Sequence, residues 1–232
     1  VPELYLYSLV FWERSVIMTN TLRKVCMVLG LLLIAAALCL FVYNQREAEL
    51  AAQTAEQALQ EISGTSYALE QPKESDTHPI IPDYIFDPTI EMPTIEVDGN
   101  FYIGVLEIPD QELSLPIISE WNDTRLKQAP CRFQGSVYLN NLIIAGHNYK
   151  KHFGGLKNLQ IGDVVIFTDV DKQCFSYTVS AVEELDGTDV DAMESGDWDL
   201  TLFTCTIGGQ KRVTIRCERT NGFSQEGNIR ER

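Results

Sequence analysis

The sequence predicts an all-β domain of seven or eight strands with few short helices, preceded by one membrane-spanning helix. From Phe101 onward, short runs rich in Val, Ile, Thr, Tyr and Phe alternate with Gly, Asp, Asn and Pro, which is typical of strands joined by turns. Near the N-terminus, residues 25–43 carry no charge. The strand-rich part has roughly 120 residues, enough to bury the core of a barrel or a sandwich.

The composition excludes several classes of protein. Of the 232 residues, 45% are hydrophobic and 22% are charged, which is typical of a folded protein. The 18 basic and 33 acidic residues give a net charge of −15, which argues against nucleic-acid binding. Six cysteines without a CxxC or Cys/His cluster indicate neither a disulfide scaffold nor a zinc site. We therefore expect no metal and no cofactor.

The apolar run at residues 25–43 predicts a membrane anchor. As a helix it is about 28 Å long, close to the thickness of the hydrocarbon core. Arg23 and Lys24 precede it, which predicts a cytoplasmic N-terminus and a domain outside the cell. A cleaved signal peptide is the alternative, but the run is longer than a typical signal core and no clear cleavage site follows it.

The amino-acid composition divides the rest of the chain into segments. Residues 1–24 form the predicted cytoplasmic tail, of which residues 1–17 are either a true tail or an extension upstream of Met18. Residues 44–100 are interpreted as a helical stalk with an Ala-rich face, followed by a spacer that contains five prolines. Residues 101–220 form the β domain, and residues 221–232 a C-terminal tail. Within the β domain, the sequence predicts short helices only around residues 125–129 and 149–159.

Three side chains of the β domain suggest acyl-transfer chemistry. His147 follows a buried strand and Gly146, Cys205 ends the strand TLFTC, and Arg212 begins the next strand RVTIRC. A thiolate is a strong nucleophile, an imidazole can protonate a leaving amine, and a guanidinium can hold a developing oxyanion. We expect the turn at Gly208 to close a hairpin that brings Cys205 and Arg212 together.

Other residues near this trio are weaker candidates. Thr204 and Thr206 flank the thiol and are candidates for substrate binding, although ordinary strand preference also explains them. Arg216 is a minor rival for the role of Arg212, since an even spacing puts both on one face of a strand. His78 and His152 are interpreted as surface residues.

The remaining cysteines and acidic residues are interpreted as structural or solvent-exposed. Of the four cysteines outside the membrane, Cys205 must stay free, so Cys131, Cys174 and Cys217 allow one disulfide at most. The acidic stretch at residues 186–191 is interpreted as a solvated loop, with calcium binding as a minor alternative.

The motifs of the β domain resemble those of the sortases, the membrane-anchored cysteine transpeptidases of Gram-positive bacteria. The matching pieces are YIGVLEIP, IIAGHN, HFGGLKNLQIGD and TLFTC with an Arg on the following strand. The resemblance implies a closed eight-stranded β-barrel with His147, Cys205 and Arg212 as catalytic residues. It also implies that secreted proteins with an LPXTG-like sorting signal are cleaved through a thioacyl-enzyme and transferred to an amine. That acceptor would be a lipid-linked cell-wall precursor or a pilin lysine.

Subclass and reaction outcome stay open at the level of sequence. GHN followed by an aromatic favours the class B pattern, but the stretch between Glu184 and Leu200 is too short for the long insertion of that class. A hydrolytic cysteine peptidase is one alternative function. A non-catalytic, membrane-anchored β module that binds a peptide or protein partner is another, although such a module needs neither Cys205 nor His147.

Overall fold

A computed structural model describes residues 3–69, 81–206 and 208–220, with the side chains of its first segment at residues 20–64. His78 and the predicted tail at 221–232 lie outside these residues. The chain divides into two units at Glu47. Each unit is described by itself.

The first unit is helical. Helix α1 has the bounds Glu3–Leu69, and its apolar side chains in the predicted anchor are exposed, with Leu33 and Phe41 at 60% or more. Within the described residues, one helical stretch, Asn20–Gly64, is long and apolar enough to cross a membrane. A helix that exposes such side chains along its whole circumference is suited to lipid.

The later part of α1, from Ala48 onward, belongs to the β unit and corrects the prediction of a stalk. One face of this segment is buried, namely Ala51, Ala52, Ala55, Ala58 and Ile62. The three- and four-residue spacing places these side chains on one stripe of the helix. Ala55, Ala58 and Ile62 are part of the main hydrophobic core, because small side chains let a helix lie close to the surface that it covers. The Ala-rich face is therefore a packing surface.

The β domain consists of nine strands in one sheet. They are β1 (Ile95–Val97), β2 (Asn100–Ile108), β3 (Leu113–Ile118), β4 (Cys131–Gln134), β5 (Leu142–Ala145), β6 (Val164–Asp169), β7 (Cys174–Asp186), β8 (Leu200–Cys205) and β9 (Lys211–Arg219). The sheet runs β2-β3-β4-β5-β8-β9-β7-β6 and closes because β6 pairs with β2. The predicted closed eight-stranded barrel is confirmed, with β1 as a short addition along β2.

The barrel closes at a bulge in β2. The register of β2 against β3 shifts between Tyr102 and Gly104, and Gly104 is the first residue of β2 to pair with β6. Gly104 has φ +155°, and a Cβ there would collide with the carbonyl oxygen of Thr168. Only glycine fits this approach of two backbones, so Gly104 allows β6 to pair with β2 while β2 stays paired with β3.

The predicted spacer also joins the β unit over its described part. A 3₁₀ turn at Asp83–Ile85 presents Tyr84, whose ring stacks on Tyr138 with centroids 4.4 Å apart. Met92 is buried, and β1 begins at Ile95. Prolines in this stretch therefore shape an ordered covering of the barrel rather than a free linker.

Two short α-helices lie between strands. Helix α2 (Asp123–Leu126) begins after Asn122, whose side-chain oxygen accepts hydrogen bonds from the backbone amides of the first turn. Helix α3 (Val190–Glu194) begins after Asp189, which caps it in the same way. The predicted helix around residues 149–159 is a 3₁₀ helix at Phe153–Asn158. Helix α3 was not predicted, because five residues are too few for a periodic pattern.

Candidate active site

Strand pairing brings the chain before His147 close to the end of β8. Strands β5 and β8 are parallel, with Ala145 opposite Phe203. The backbone amide of Gly146 donates a hydrogen bond to the carbonyl oxygen of Phe203 at 3.0 Å, which extends the pairing by one residue. His147 comes next in the chain, beyond the end of β5, and lines the same cavity as Cys205.

The neighbouring hairpin adds Arg212. In the antiparallel pair of β8 and β9, Cys205 and Arg212 are direct partners, so their Cβ atoms are about 5 Å apart. The predicted hairpin is therefore present. His147, Cys205 and Arg212 all line one cavity of about 350 Å³, and each is half-buried. The three predicted site residues thus meet at one end of three adjacent strands.

The cavity beside this trio is mostly apolar. Its wall includes side chains from two strands and from both short helices, namely Leu126, Phe133, Val190, Met193 and Phe203, with Trp121 just before α2. Phe133 contacts Trp121 with centroids 5.7 Å apart and Phe203 edge-on at 5.5 Å. Such a wall suits an extended peptide with an apolar side chain.

Three aspartates also line the cavity, two of them in the stretch that was interpreted as a solvated loop. Asp186 accepts hydrogen bonds from the amide and hydroxyl of Thr188, which lower the pKa of its carboxyl. Asp189 caps α3, and Asp123 is the third. Among the described residues no group of three His, Cys, Asp or Glu side chains is arranged to hold a metal ion.

Arg212 is oriented by its own hairpin. Its Nη1 donates to the carbonyl oxygens of Gly209 at 2.9 Å and Lys211 at 3.3 Å. A Cβ on Gly187 would lie 3.0 Å from that Nη1 and 2.7 Å from the carbonyl oxygen of Gln210, so this glycine leaves room for the arginine. The guanidinium carries five N–H donors, and those beyond Nη1 stay available for a substrate oxygen.

Arg216, the rival arginine, has another task. The predicted common face of Arg212 and Arg216 is consistent with the structure, because Arg212 lines a cavity together with Met193 of α3 and Arg216 donates to the Met193 carbonyl oxygen. Arg216 is 2% exposed and donates to the carbonyl oxygens of Met193 and Ala192, each at 2.7 Å. Its Nε also lies 3.3 Å from the carboxylate of Glu183. Arg216 therefore holds α3 against the barrel, and its guanidinium donors are engaged in that contact.

The two threonines beside the thiol make different contacts. Thr204 contributes to the cavity wall, and its hydroxyl is buried without a hydrogen-bond partner among the described residues. Thr206 exchanges hydrogen bonds with the backbone of Lys211, so its hydroxyl closes the turn of the hairpin. Their predicted part in substrate binding stays a prediction.

The described cysteines are all free thiols in different environments. Burial raises the pKa of Cys131 and of Cys217 to about 12, which keeps both thiols protonated and unreactive. Cys174 is exposed on the barrel surface. Cys205 is the thiol that combines partial exposure with a cavity, a histidine and an arginine, and these are the conditions for a nucleophile.

Sequence reasoning missed the surroundings of His147. Its ring stacks on Tyr149, with centroids 4.8 Å apart and 27° between the planes. Tyr149 in turn contacts His152 at 5.6 Å. The prediction that His152 is a surface residue is wrong, because it is 1% exposed. Its burial depends on α1, and no local pattern around residue 152 signals it.

Comparison with known proteins agrees with the motif analysis. Residues 106–220 match the family model of the sortase domain. Sortase A of Streptococcus agalactiae serotype III is 28% identical over 137 residues, which cover 53% of this chain and 55% of that protein. The match thus spans about half the length of this curated relative.

Solved structures of sortases are similar to this chain, and the first of the two that follow supports the fold. A Clostridium perfringens sortase D5 transpeptidase is 18% identical, with a TM-score of 0.51 over 74% of this chain and 99% of that chain. The Streptococcus suis sortase C1 structure is 22% identical, with a TM-score of 0.46 over 54% of this chain and 76% of that chain.

Proposed function

Because this chain belongs to the sortase family, with its sortase domain at residues 106–220, we propose that it is a cysteine transpeptidase with Cys205 as the nucleophile. Its substrate is a secreted protein with an LPXTG-like sorting signal. The acceptor is an amine, carried by a lipid-linked cell-wall precursor or by a pilin lysine.

One observation supports this proposal above the others. Strand β5 and the hairpin of β8 and β9, which are well separated in sequence, bring His147, Cys205 and Arg212 to one cavity. Each side chain has a different chemical task in acyl transfer. A module that only binds peptides needs none of these tasks, so the alternative of a non-catalytic module has no comparable support.

The reaction then proceeds in two halves. The sulfur of Cys205 adds to the scissile carbonyl carbon and forms a tetrahedral intermediate with a negative oxygen. The C–N bond breaks as His147 gives a proton to the leaving amine, and a thioester remains on Cys205. The acceptor amine attacks this thioester and loses a proton to His147, and the Cys205 sulfur leaves. The acyl group is then joined to the acceptor by a new amide bond, and the enzyme returns to its starting state.

Arg212 stabilises charge in both halves. Its N–H donors beyond Nη1 are placed to hold the carbonyl oxygen as it becomes negative. Since Nη1 is fixed by the hairpin carbonyls, the guanidinium does not have to reorganise when charge develops. The apolar wall of Phe133 and Phe203 limits water near that oxygen, which strengthens the interaction.

Membrane attachment fits this chemistry. The α1 stretch Asn20–Gly64 is able to cross a bilayer, and Arg23 and Lys24 favour a cytoplasmic N-terminus. The barrel is then outside the cell, where exported substrates and a lipid-linked acceptor lie near the same surface and at high effective concentration. Protease added to intact protoplasts should remove the barrel, whereas protection until lysis would contradict this topology.

The decisive test uses the full chain in detergent micelles with a quenched sorting-signal peptide. Cys205→Ala should abolish cleavage without changing the circular dichroism spectrum. Cys174→Ala is the matched control, because it removes an exposed thiol from the barrel surface and should leave the rate unchanged. Mass spectrometry after brief mixing should find the acyl adduct on Cys205 alone.

A second arm of this test separates transfer from hydrolysis. Added amine should increase the turnover rate and appear in the product. Cleavage at a rate independent of amine, with only the acid as product, would identify a peptidase instead. Retention of cleavage in Cys205→Ala would overturn the proposed function as a whole.

A further inference from the structure

Two histidines and a tyrosine form a continuous stack that leads away from the catalytic cavity. His147 contacts Tyr149 at 4.8 Å between centroids, and Tyr149 contacts His152 at 5.6 Å. The backbone folds to make this possible: the amide of His152 donates to the Tyr149 carbonyl at 3.0 Å, and the amide of Phe153 donates to the His147 carbonyl at 3.1 Å. His147 and His152 are therefore both held against the ring of Tyr149, the first stacked and the second tilted by 48°.

The far end of the stack is enclosed. His152 is 1% exposed, and neither of its ring nitrogens has a hydrogen-bond partner of normal geometry within the described chain. Burial lowers the pKa of His152 to about 4, against a smaller opposite effect of a hydrogen bond with the backbone of Ala51. Burying an imidazole with so little hydrogen bonding costs free energy, so its presence calls for an explanation other than stability.

Helix α1 supplies the cover. Ala51, Ala52 and Ala55 are buried along the face that packs on the β unit, and Ala51 is the helical residue whose backbone affects His152. On the same side, Lys151 pairs with Glu49 at 3.4 Å. The stack thus lies between the helix on one side and the cavity of Cys205 on the other.

We propose that His152 is a positioning residue for His147 and acts through the ring of Tyr149. The buried ring of His152 fixes Tyr149, and Tyr149 limits the orientations of the His147 imidazole that must reach both the sulfur and the leaving amine. Correct placement of such a group is worth orders of magnitude in rate. The kinetic part of this inference rests on the proposed transpeptidase function, and the stacking part does not.

The chain permits a direct spectroscopic test. It contains three histidines, so the full chain labelled with ¹³C at histidine gives three ring signals in detergent micelles. The face of Tyr149 shifts the ring protons of His147 upfield. His152→Ala removes the support of Tyr149, and Tyr149→Leu removes the stacked ring itself. His152→Phe keeps a buried ring without nitrogens, and Lys157→Ala is the control, since Lys157 is exposed in the same loop region.

The proposal makes a joint prediction about kinetics and spectra. His152→Ala and Tyr149→Leu should each lower kcat about tenfold with KM within about twofold, and should each abolish the upfield shift of His147. His152→Phe should restore both quantities, and Lys157→Ala should change neither. If His152→Ala does not fold, His152→Leu fills the buried space without a ring and should show the same loss of kcat and of the upfield shift.

Three results would overturn the proposal. They are an unchanged His147 signal in His152→Ala, an unchanged kcat in that variant, and a loss of kcat that His152→Phe does not restore. A wild-type chain that cleaves no sorting-signal peptide would instead overturn the proposed function. In that case the His147 signal still tests the stack.

Discussion

The buried His152 predicts a specific dependence of stability on pH. Its pKa falls from the ordinary value of 6.5 to about 4 because burial disfavours the charged ring. The folded chain therefore binds fewer protons than the unfolded chain between these values. Stability must decrease as the pH falls from about 6.5 to about 4, and the loss is complete below the folded pKa.

The magnitude follows from the size of the shift. A difference of roughly 2.5 pKa units at about 1.4 kcal/mol per unit corresponds to about 3 kcal/mol of unfolding free energy. His152→Phe removes the titrating group and retains a ring of similar size. It should be about as stable as the wild-type chain at pH 7, because it removes a buried polar ring whose hydrogen bonding is weak.

Urea denaturation at a series of pH values provides the measurement. The full chain in detergent micelles is followed by the fluorescence of Trp121 and Trp198, which both lie in the β unit. The difference in unfolding free energy between the wild-type chain and His152→Phe isolates the contribution of His152. Other titrating groups, such as Asp169, whose pKa is raised by burial, are common to both proteins and cancel. Charged neighbours on the packed elements, Glu49 of α1 and Lys151 of the loop, are likewise unchanged. Parallel stability curves from pH 7 to pH 4 would refute the reasoning.

Two further predictions concern the arginines and the helix face. Arg212→Lys retains the charge but not the fork of donors, so we expect kcat to fall roughly 10²–10³-fold in the peptide cleavage assay. Arg216→Lys should lower the unfolding free energy by about 1–3 kcal/mol with a smaller change in kcat, and the reverse pattern would make Arg216 the catalytic arginine. Ala58→Leu overpacks the contact of α1 with the barrel and should cost about 1–3 kcal/mol in urea denaturation. The exposed Gln57→Leu should cost less than about 0.5 kcal/mol, and equal losses would contradict the packing of that face.

Local sequence predicted the strands and the candidate reactive groups. Alternation and β-branched residues mark the strands because each strand has to bury one face, and that requirement acts within a few residues. The turn glycines between Cys205 and Arg212 predicted their pairing for the same reason, since a hairpin is a local structure. The uncharged run at residues 25–43 likewise reflects one local requirement, the length of a membrane-spanning helix.

Tertiary structure decided the questions that depend on distant partners. The even spacing of Arg212 and Arg216 along β9 places both on one face of the strand. The choice between them for the proposed role depends on α3, because its carbonyl oxygens at Ala192 and Met193 accept hydrogen bonds from Arg216. The sequence of an Ala-rich helix looks the same whether the helix is exposed to solvent or packed against the protein, because alanine has too little hydrophobic surface to mark a buried face.

His152 shows the same limit most clearly. Two lysines precede it in the sequence, and it is buried because a helix about a hundred residues earlier covers it. Sequence patterns record the requirements of the local backbone. The assignment of Arg212, the role of the alanine face and the burial of His152 all arise from contacts between segments that only the closed barrel brings together.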